Sequence, residues 1–73
     1  MTRILANDGI SQAGIEALRL KGFTVSTEHI QQEDLIKSIN TEKYEVLLVR
    51  SATTVPKELI DACPNLKIIG RGG

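Results

Sequence analysis

The chain has 73 residues, of which 41% are hydrophobic and 25% charged, a composition typical of one small globular domain and unlike that of a disordered segment. Nine basic and nine acidic residues cancel, so no bulk charge favours nucleic acid or a membrane surface as a partner. The single cysteine excludes an internal disulfide, and no apolar run approaches the ~20 residues of a membrane span, so a cytoplasmic location is predicted.

The first predicted unit is a strand followed by a helix. An apolar run at residues 3–6 predicts the strand, and the Asn-Asp-Gly sequence at 7–9 is a turn signal. Ser11 has the position of a helix N-cap, where its hydroxyl can accept a hydrogen bond from the first turn. Gly22 can adopt the left-handed conformation that ends a helix. We therefore expect a strand, a tight turn and a helix in this segment.

The second unit pairs an edge strand with a second helix. Residues 23–27 alternate apolar and polar side chains, as a strand with one covered face does. Leu35, Ile36 and Ile39 then share one face of a helical pattern. Asn40 is the residue predicted to end this helix.

The second half of the chain predicts two more strands around a third helix. Residues 46–49 form an unbroken apolar run, which indicates a strand covered on both faces at the centre of a parallel sheet. Pro56 is predicted in the first turn of the third helix, and Pro64 is predicted to end it. Residues 66–69 predict the fourth strand.

These elements define the fold class as α/β. Short connections and right-handed crossovers allow a flavodoxin-like parallel sheet with the strand order 2-1-3-4 and helices on both faces. The fourth strand has no predicted neighbour on its outer side. We therefore expect the sheet to be incomplete.

Polar residues stand where the third and fourth predicted strands end. Arg50 and Ser51 follow the third strand directly, and Arg71 follows the fourth. Ligands bind at the carboxyl edge of a parallel sheet, and an arginine fork can bond two phosphate oxygens at once. Strand-end arginines are as often solvent-exposed caps without a ligand. The residues by themselves leave both alternatives open.

The strongest motif is V-R-S-A-T-T-V-P-K-E-L-I-D-A-C-P-N-L-K-I-I-G-R-G-G at residues 49–73. It resembles the NAD-dependent D-2-hydroxyacid dehydrogenases, whose members carry V-R-S-x-T-x-V, a short helix and L-K-x-I-G-R-A-G-x-G-x-D-N. Residues 1–48 are compatible with the same family but less specific. One departure is Gly72, which stands where alanine is usual.

The resemblance implies a piece of a larger enzyme. Residues 1–73 would be the N-terminal part of the substrate-binding (catalytic) domain, and a nucleotide-binding domain absent from this chain would bind NAD. The parent would oxidise a small phosphorylated 2-hydroxy acid, 3-phospho-D-glycerate, in serine biosynthesis. It would be a homo-oligomer, without nucleic-acid or membrane partners, and this segment alone would be inactive.

The resemblance also implies roles for particular residues. Arg50 and Arg71 would bind the substrate phosphate, and the amides of Gly72 and Gly73 would hold the substrate carboxylate. Ser51 would be a hydrogen-bonding neighbour of the substrate, although its hydroxyl could equally bond the backbone of its own turn. No catalytic, cofactor-binding or metal-binding residue is implied in this chain.

Two functional alternatives stay open. Within the family, the substrate could be glyoxylate, hydroxypyruvate or D-lactate. Outside it, the chain could be a non-enzymatic anion-binding α/β module. The Gly-Arg-Gly-Gly sequence at 70–73 is a weak match to a dinucleotide fingerprint, because that fingerprint needs a further glycine and a following helix.

Three other polar features have predicted structural roles. His29 is predicted to be a surface residue, since the family's catalytic histidine belongs to the later domain, and Cys63 is predicted to be a small core residue. Asn7 and Asp8 resemble the acidic corner of phosphoacceptor receiver domains. Those domains need an aspartate at the end of the third strand, where this chain has Arg50, so the receiver interpretation fails.

Overall fold

Strands and helices alternate along the part of the chain that the computed structural model describes, residues 2–72. The elements are, in order, β1 Arg3–Ala6, α1 Gln12–Leu20, β2 Thr24–Ser26, α2 Leu35–Glu42, β3 Val46–Val49, α3 Lys57–Ala62 and β4 Ile68–Arg71. One turn of 3-10 helix, Gln32–Asp34, leads into α2. The predicted alternation of strands and helices is confirmed.

The four strands form one parallel sheet in the order β2-β1-β3-β4, as predicted. Leu5 lies opposite Leu47, and Leu47 lies opposite Ile69. Because the strands are parallel, their carboxyl ends share one edge of the sheet. The segments that follow β1, β3 and β4 are therefore neighbours.

Two helices, α2 and α3, cover one face of this sheet and form the core with it. Its largest buried side chains are Leu5 and Leu47 from the sheet, Leu35 and Ile39 from α2, and Leu59 from α3. Full burial of a side chain of this size stabilises a fold by roughly 1.5–3 kcal/mol relative to exposure. This layer holds the strands that carry the carboxyl edge.

The opposite face is only partly covered, which corrects the prediction that β3 is buried on both sides. Leu47 and Val49 are buried, whereas Val46 and Leu48 are half-buried. The reason is that α1 packs chiefly against β2 and leaves an apolar groove of about 360 Å³ beside β3 and β4. Ile68, which lines this groove, is 60% exposed.

The first helix begins and ends where the sequence predicts. Ser11 is its N-cap, and the Ser11 hydroxyl oxygen accepts a hydrogen bond from the Gly14 N–H at 3.1 Å. Gly22 follows with φ +89°, a left-handed conformation that glycine adopts without strain. Among residues 2–72, no helix is long and apolar enough to cross a membrane.

The second helix runs past its predicted end. Asn40 lies inside α2, and its amide donates to the Ala62 carbonyl at 2.9 Å, which ties α2 to the end of α3. The chain leaves α2 at Lys43, whose φ of 57° is left-handed. The prediction that Asn40 ends the helix is wrong, because its side chain bonds a neighbouring element and its backbone stays helical.

The third helix and fourth strand both start later than predicted. Pro56 lies immediately before α3, and Cys63 (φ −119°, ψ 76°) leaves helical geometry ahead of Pro64, as expected. The Leu66 N–H then donates to the Cys63 carbonyl at 3.0 Å and closes a turn. As a result β4 spans Ile68–Arg71 in place of the predicted 66–69.

Candidate functional site

A pocket of about 420 Å³ opens at the carboxyl edge of the sheet, between the turn after β1 and the ends of β3 and β4. Its lining consists of Gly9, Ile10, Ser11, Leu48, Val49, Arg50, Gly70, Arg71 and Gly72. Two of these residues, Arg50 and Arg71, are charged, and none is an Asp, Glu, His, Cys or Lys. The lining therefore offers positive charge to a ligand but no acid or base for proton transfer.

Two predicted residues, Arg50 and Arg71, supply the positive charge of this pocket. Both side chains are exposed, and neither guanidinium has a hydrogen-bond or ion-pair partner among residues 2–72. Arg3 differs, because it bonds Glu42 at 2.8 Å and lies over the Tyr44 ring at 5.5 Å from its centroid. Arg3 has a structural role in the fold, whereas the pocket arginines are free to bind an anion.

The two pocket arginines are offset by one residue. Arg71 is the last residue of β4 and lies opposite Val49, not after the strand as predicted. Hydrogen bonding continues one residue further, since the Gly72 N–H donates to the Val49 carbonyl at 2.9 Å. Arg50 has already left β3, so its loop, and not the strand pleat, sets its direction. Convergence of both guanidinium groups on one anion stays a prediction.

The glycines predicted to hold a carboxylate are only partly described. The Gly72 N–H is engaged with β3, so it would have to leave that bond to reach a ligand. A Cβ on residue 72 would meet the Arg50 Cγ at 3.7 Å, an ordinary contact, so the alanine usual in the family would fit there too. Gly73 lies outside the described residues, and its predicted role stays a prediction.

Ser51 is exposed at the apex of the loop after β3. Its hydroxyl has no hydrogen-bond partner among residues 2–72, so the alternative in which Ser51 bonds its own turn is not observed. Thr53, two residues further on, bonds the Asp8 carboxylate in the turn after β1 through its N–H and its hydroxyl. Ser51 does not line the pocket described above, so its predicted contact with the substrate stays a prediction.

Asp8 holds the loop that carries Arg50, a role that the sequence analysis missed. One carboxylate oxygen, Oδ2, accepts hydrogen bonds from the Arg50 N–H at 2.7 Å and the Thr53 N–H at 3.1 Å. The other oxygen, Oδ1, accepts one from the Thr53 hydroxyl at 2.7 Å. The Asp8 side chain is only 5% exposed. These bonds fasten the loop after β3 to the turn after β1.

The environment of Asp8 favours its charged form. Burial by itself would raise the pKa of the Asp8 carboxyl, but the hydrogen bonds from Arg50 and Thr53 and the nearby His29 together outweigh it and lower that pKa. The His29 Nδ1 lies 3.6 Å from the Asp8 Oδ1. Hydrogen bonds donated to a carboxylate stabilise its ionised state, so Asp8 is an anion at neutral pH.

The buried Asn7 connects the same loop to the segment before α2. Its amide nitrogen donates to the Ile30 carbonyl and to the Thr53 hydroxyl oxygen, each at 3.0 Å, and its amide oxygen accepts from the Ile30 N–H at 2.7 Å. The His29 Nδ1 donates to the Asn7 carbonyl at 2.8 Å, because a carbonyl can only accept. His29 is exposed, as predicted.

The sequence contains a signal for this network. Asn7 and Asp8 follow β1, Thr53 follows β3, and these strands are neighbours in the predicted order, so the two segments had to meet. This signal is easy to miss because Asn-Asp-Gly is a strong turn sequence. A turn alone accounts for both side chains, so the sequence gives no reason to look for a contact with Thr53. No cluster of His, Cys, Asp or Glu that could hold a metal ion occurs among residues 2–72.

The parallel sheet with a cationic pocket at its carboxyl edge defines an α/β domain suited to binding anions. Residues 4–73 match the D-isomer specific 2-hydroxyacid dehydrogenase family, catalytic domain. The chain belongs to this family, as the motif at residues 49–73 predicted.

Similar proteins carry two different enzyme names. The chain is 40% identical over 72 residues to D-3-phosphoglycerate dehydrogenase of Archaeoglobus fulgidus. It is 39% identical over 72 residues to hydroxypyruvate reductase of Thermotoga maritima, and 33% identical over 73 residues to D-3-phosphoglycerate dehydrogenase of Synechocystis sp.. These alignments cover 97%, 97% and 100% of this chain. The chain spans only 13%, 23% and 13% of those proteins.

Proposed function

We propose that residues 1–73 are the N-terminal part of the substrate-binding domain of an NAD-dependent D-2-hydroxyacid dehydrogenase whose substrate is 3-phospho-D-glycerate. The cationic pocket at the carboxyl edge binds the substrate phosphate. Family membership and the D-3-phosphoglycerate dehydrogenases among the similar proteins support this assignment.

The observation that carries the proposal is the pair of unpartnered arginines on one pocket. Arg50 and Arg71 border the same cavity, and no carboxylate lines it among the described residues. A phosphate dianion suits two guanidinium groups, because each planar fork can bond two oxygens. Ser51 follows Arg50 in sequence and has a hydroxyl without a hydrogen-bond partner among residues 2–72, so we assign it as a further contact of the substrate. The carboxylate role assigned to Gly73 rests on the family motif alone.

The chemical step belongs to other parts of the parent enzyme. When bound in the parent enzyme, NAD would supply the hydride acceptor for C2. The proton of the C2 hydroxyl would go to a base, and the product would be a 2-keto acid for serine biosynthesis. Residues 2–72 contain no strand–glycine loop–helix unit that fits a dinucleotide, so we assign no cofactor contact to them. The segment contributes substrate binding inside a cytoplasmic homo-oligomer.

A second substrate has direct support from the similar proteins. The Thermotoga maritima relative is named a hydroxypyruvate reductase, and hydroxypyruvate has a carboxylate but no phosphate. With that substrate, one arginine would bind the carboxylate and the other would face solvent. Glyoxylate, D-lactate and a non-enzymatic anion module are less well supported, because none of the three similar proteins described above has a name that indicates one of them.

A substrate comparison on the parent enzyme tests the proposal. We expect kcat/KM with NAD to be highest for 3-phospho-D-glycerate and at least about 100-fold lower for D-glycerate, which lacks only the phosphate, since charge-assisted hydrogen bonds are lost. Hydroxypyruvate with NADH provides the comparison within the family. Equal rates with D-glycerate, or a preference for hydroxypyruvate, would exclude the phosphate assignment.

A further inference from the structure

We propose that Asp8 is a positioning residue for the substrate: through the loop after β3 it fixes Arg50 in the orientation that binds the phosphate. This inference rests on the phosphate role proposed above and adds a residue to it. Asp8 does not line the pocket, so it acts through Arg50 and not on the ligand.

The contact between Asp8 and Arg50 is direct. The Asp8 Oδ2 accepts the Arg50 N–H at 2.7 Å, so the carboxylate fixes the backbone atom from which the guanidinium side chain extends. The same oxygen accepts the Thr53 N–H, and Oδ1 accepts the Thr53 hydroxyl. Asp8 therefore holds both ends of the four-residue segment 50–53 from one buried point.

Other bonds support the far end of the loop only. Gln32 exchanges two hydrogen bonds with the Thr54 backbone, at 3.0 and 3.1 Å. Asn7 donates to the Thr53 hydroxyl oxygen. Neither residue forms a hydrogen bond with Arg50, so Asp8 alone among the described side chains bonds the backbone of Arg50. Without it, the Arg50 end of the loop would be held by β3 alone.

A carboxylate suits this position better than an amide. Three donors converge on it, and both of its oxygens accept. An asparagine could still accept both N–H groups with its single oxygen, but its NH₂ would face the Thr53 hydroxyl. A fixed loop binds a ligand without the entropy cost of ordering it first, which is the advantage of preorganisation.

The test is a kinetic comparison of variants of the parent enzyme with 3-phospho-D-glycerate and NAD. We expect Asp8→Ala to raise KM by about 10- to 100-fold with a much smaller change in kcat, because a displaced arginine weakens binding more than chemistry. Asp8→Asn should recover most of this loss. Asp8→Ala should leave KM for D-glycerate almost unchanged.

A matched control separates positioning from loss of stability. Asn40 also joins two elements through its side chain, because its amide donates to the Ala62 carbonyl and ties α2 to α3. It does not line the pocket. Asn40→Ala should lower the melting temperature and leave KM unchanged. Thr53→Val replaces by a methyl group the hydroxyl that donates to Asp8 and accepts from Asn7. It should raise KM by less than Asp8→Ala, and it provides the test if Asp8→Ala does not fold.

A double variant completes the test. If Asp8 acts through Arg50, Asp8→Ala should add nothing to the KM of Arg50→Ala, because the two losses are one. Additive losses, or a KM rise in Asn40→Ala equal to that in Asp8→Ala, would overturn the positioning role alone. An Arg50→Ala enzyme with normal KM would overturn the phosphate assignment and the positioning role together.

Discussion

At the scale of single residues, the environment of the Asp8 carboxylate has a measurable consequence. Its carboxylate is almost fully buried, accepts three hydrogen bonds and has the exposed His29 ring nearby. Folding therefore stabilises the ionised form, and the pKa of Asp8 is lower in the folded protein than in the unfolded chain. This difference links the stability of the fold to pH.

The sign of that link gives a prediction. The contribution of Asp8 is complete above the ordinary pKa of an aspartate in the unfolded chain and is lost as the pH falls through the lower pKa of the folded protein. We expect the free energy of unfolding to fall more steeply below pH 4 in the wild type than in Asp8→Asn, measured by urea unfolding at several pH values. Parallel curves for the two proteins would show that Asp8 contributes no such term.

Cys63 provides a second prediction at this scale. Its side chain is 1% exposed in the core formed with α2 and α3, as predicted, and burial raises the pKa of its thiol. The reactive species is the thiolate, so a disulfide reagent at pH 8 should modify Cys63 of the native protein very slowly. In denaturant we expect rapid modification. The absorbance of the thiol released from the reagent measures both rates. Fast reaction of the native protein would contradict the buried position.

At the scale of elements, helix ends were predicted less well than helices. Ser11 and Gly22 act as predicted because capping and left-handed geometry are local properties. The prediction that Asn40 ends α2 was wrong, because its amide bonds Ala62 in another helix and sequence patterns do not report such a contact. The chain instead turns at Lys43, a residue type that avoids positive φ.

The left-handed Lys43 leads to a prediction about α2. Lys43→Gly should raise the free energy of unfolding by about 0.5–1 kcal/mol, because removal of left-handed strain exceeds the entropy cost of glycine. The matched control is Lys37→Gly, since Lys37 is also exposed but lies inside the helix. That change should destabilise by about 1 kcal/mol. If thermal melting gave both variants the same loss, Lys43 would not be strained.

At the scale of the whole molecule, the sheet and its order were predicted from sequence, whereas the cover of its second face was not. The order follows from alternating elements and short connections, which few topologies satisfy. The partial exposure of Val46 and Leu48 depends on where α1 packs. An unbroken apolar run has the same sequence pattern whether a helix covers the second face of its strand or leaves it exposed. Arg50 and Arg71 were found from strand ends, but Asp8 needed the actual bonds.

The open edge of β4 predicts how residues 1–73 behave when expressed by themselves. Among the described residues β4 pairs only with β3, and Ile68 is 60% exposed beside that open edge. An unpaired apolar edge promotes association. We expect sedimentation velocity to show species larger than a monomer and Ile68→Lys to restore the monomer. Leu20→Lys, which removes an even more exposed apolar side chain on α1, should change nothing. A monomeric wild type would contradict this.

The central claim is that Arg50 and Arg71 bind a phosphate, and the most direct measurement is the kinetics of Arg50→Ala in the parent enzyme with two substrates. With 3-phospho-D-glycerate, kcat/KM should fall by roughly 30- to 1000-fold, mainly through KM, as expected for about 2–4 kcal/mol of lost charged hydrogen bonding. With D-glycerate, the variant should match the wild type. Arg19→Ala, an exposed arginine in the last turn of α1, should be normal with both. Equal losses on the two substrates would contradict the claim, because Arg50 would then support the loop and not the phosphate.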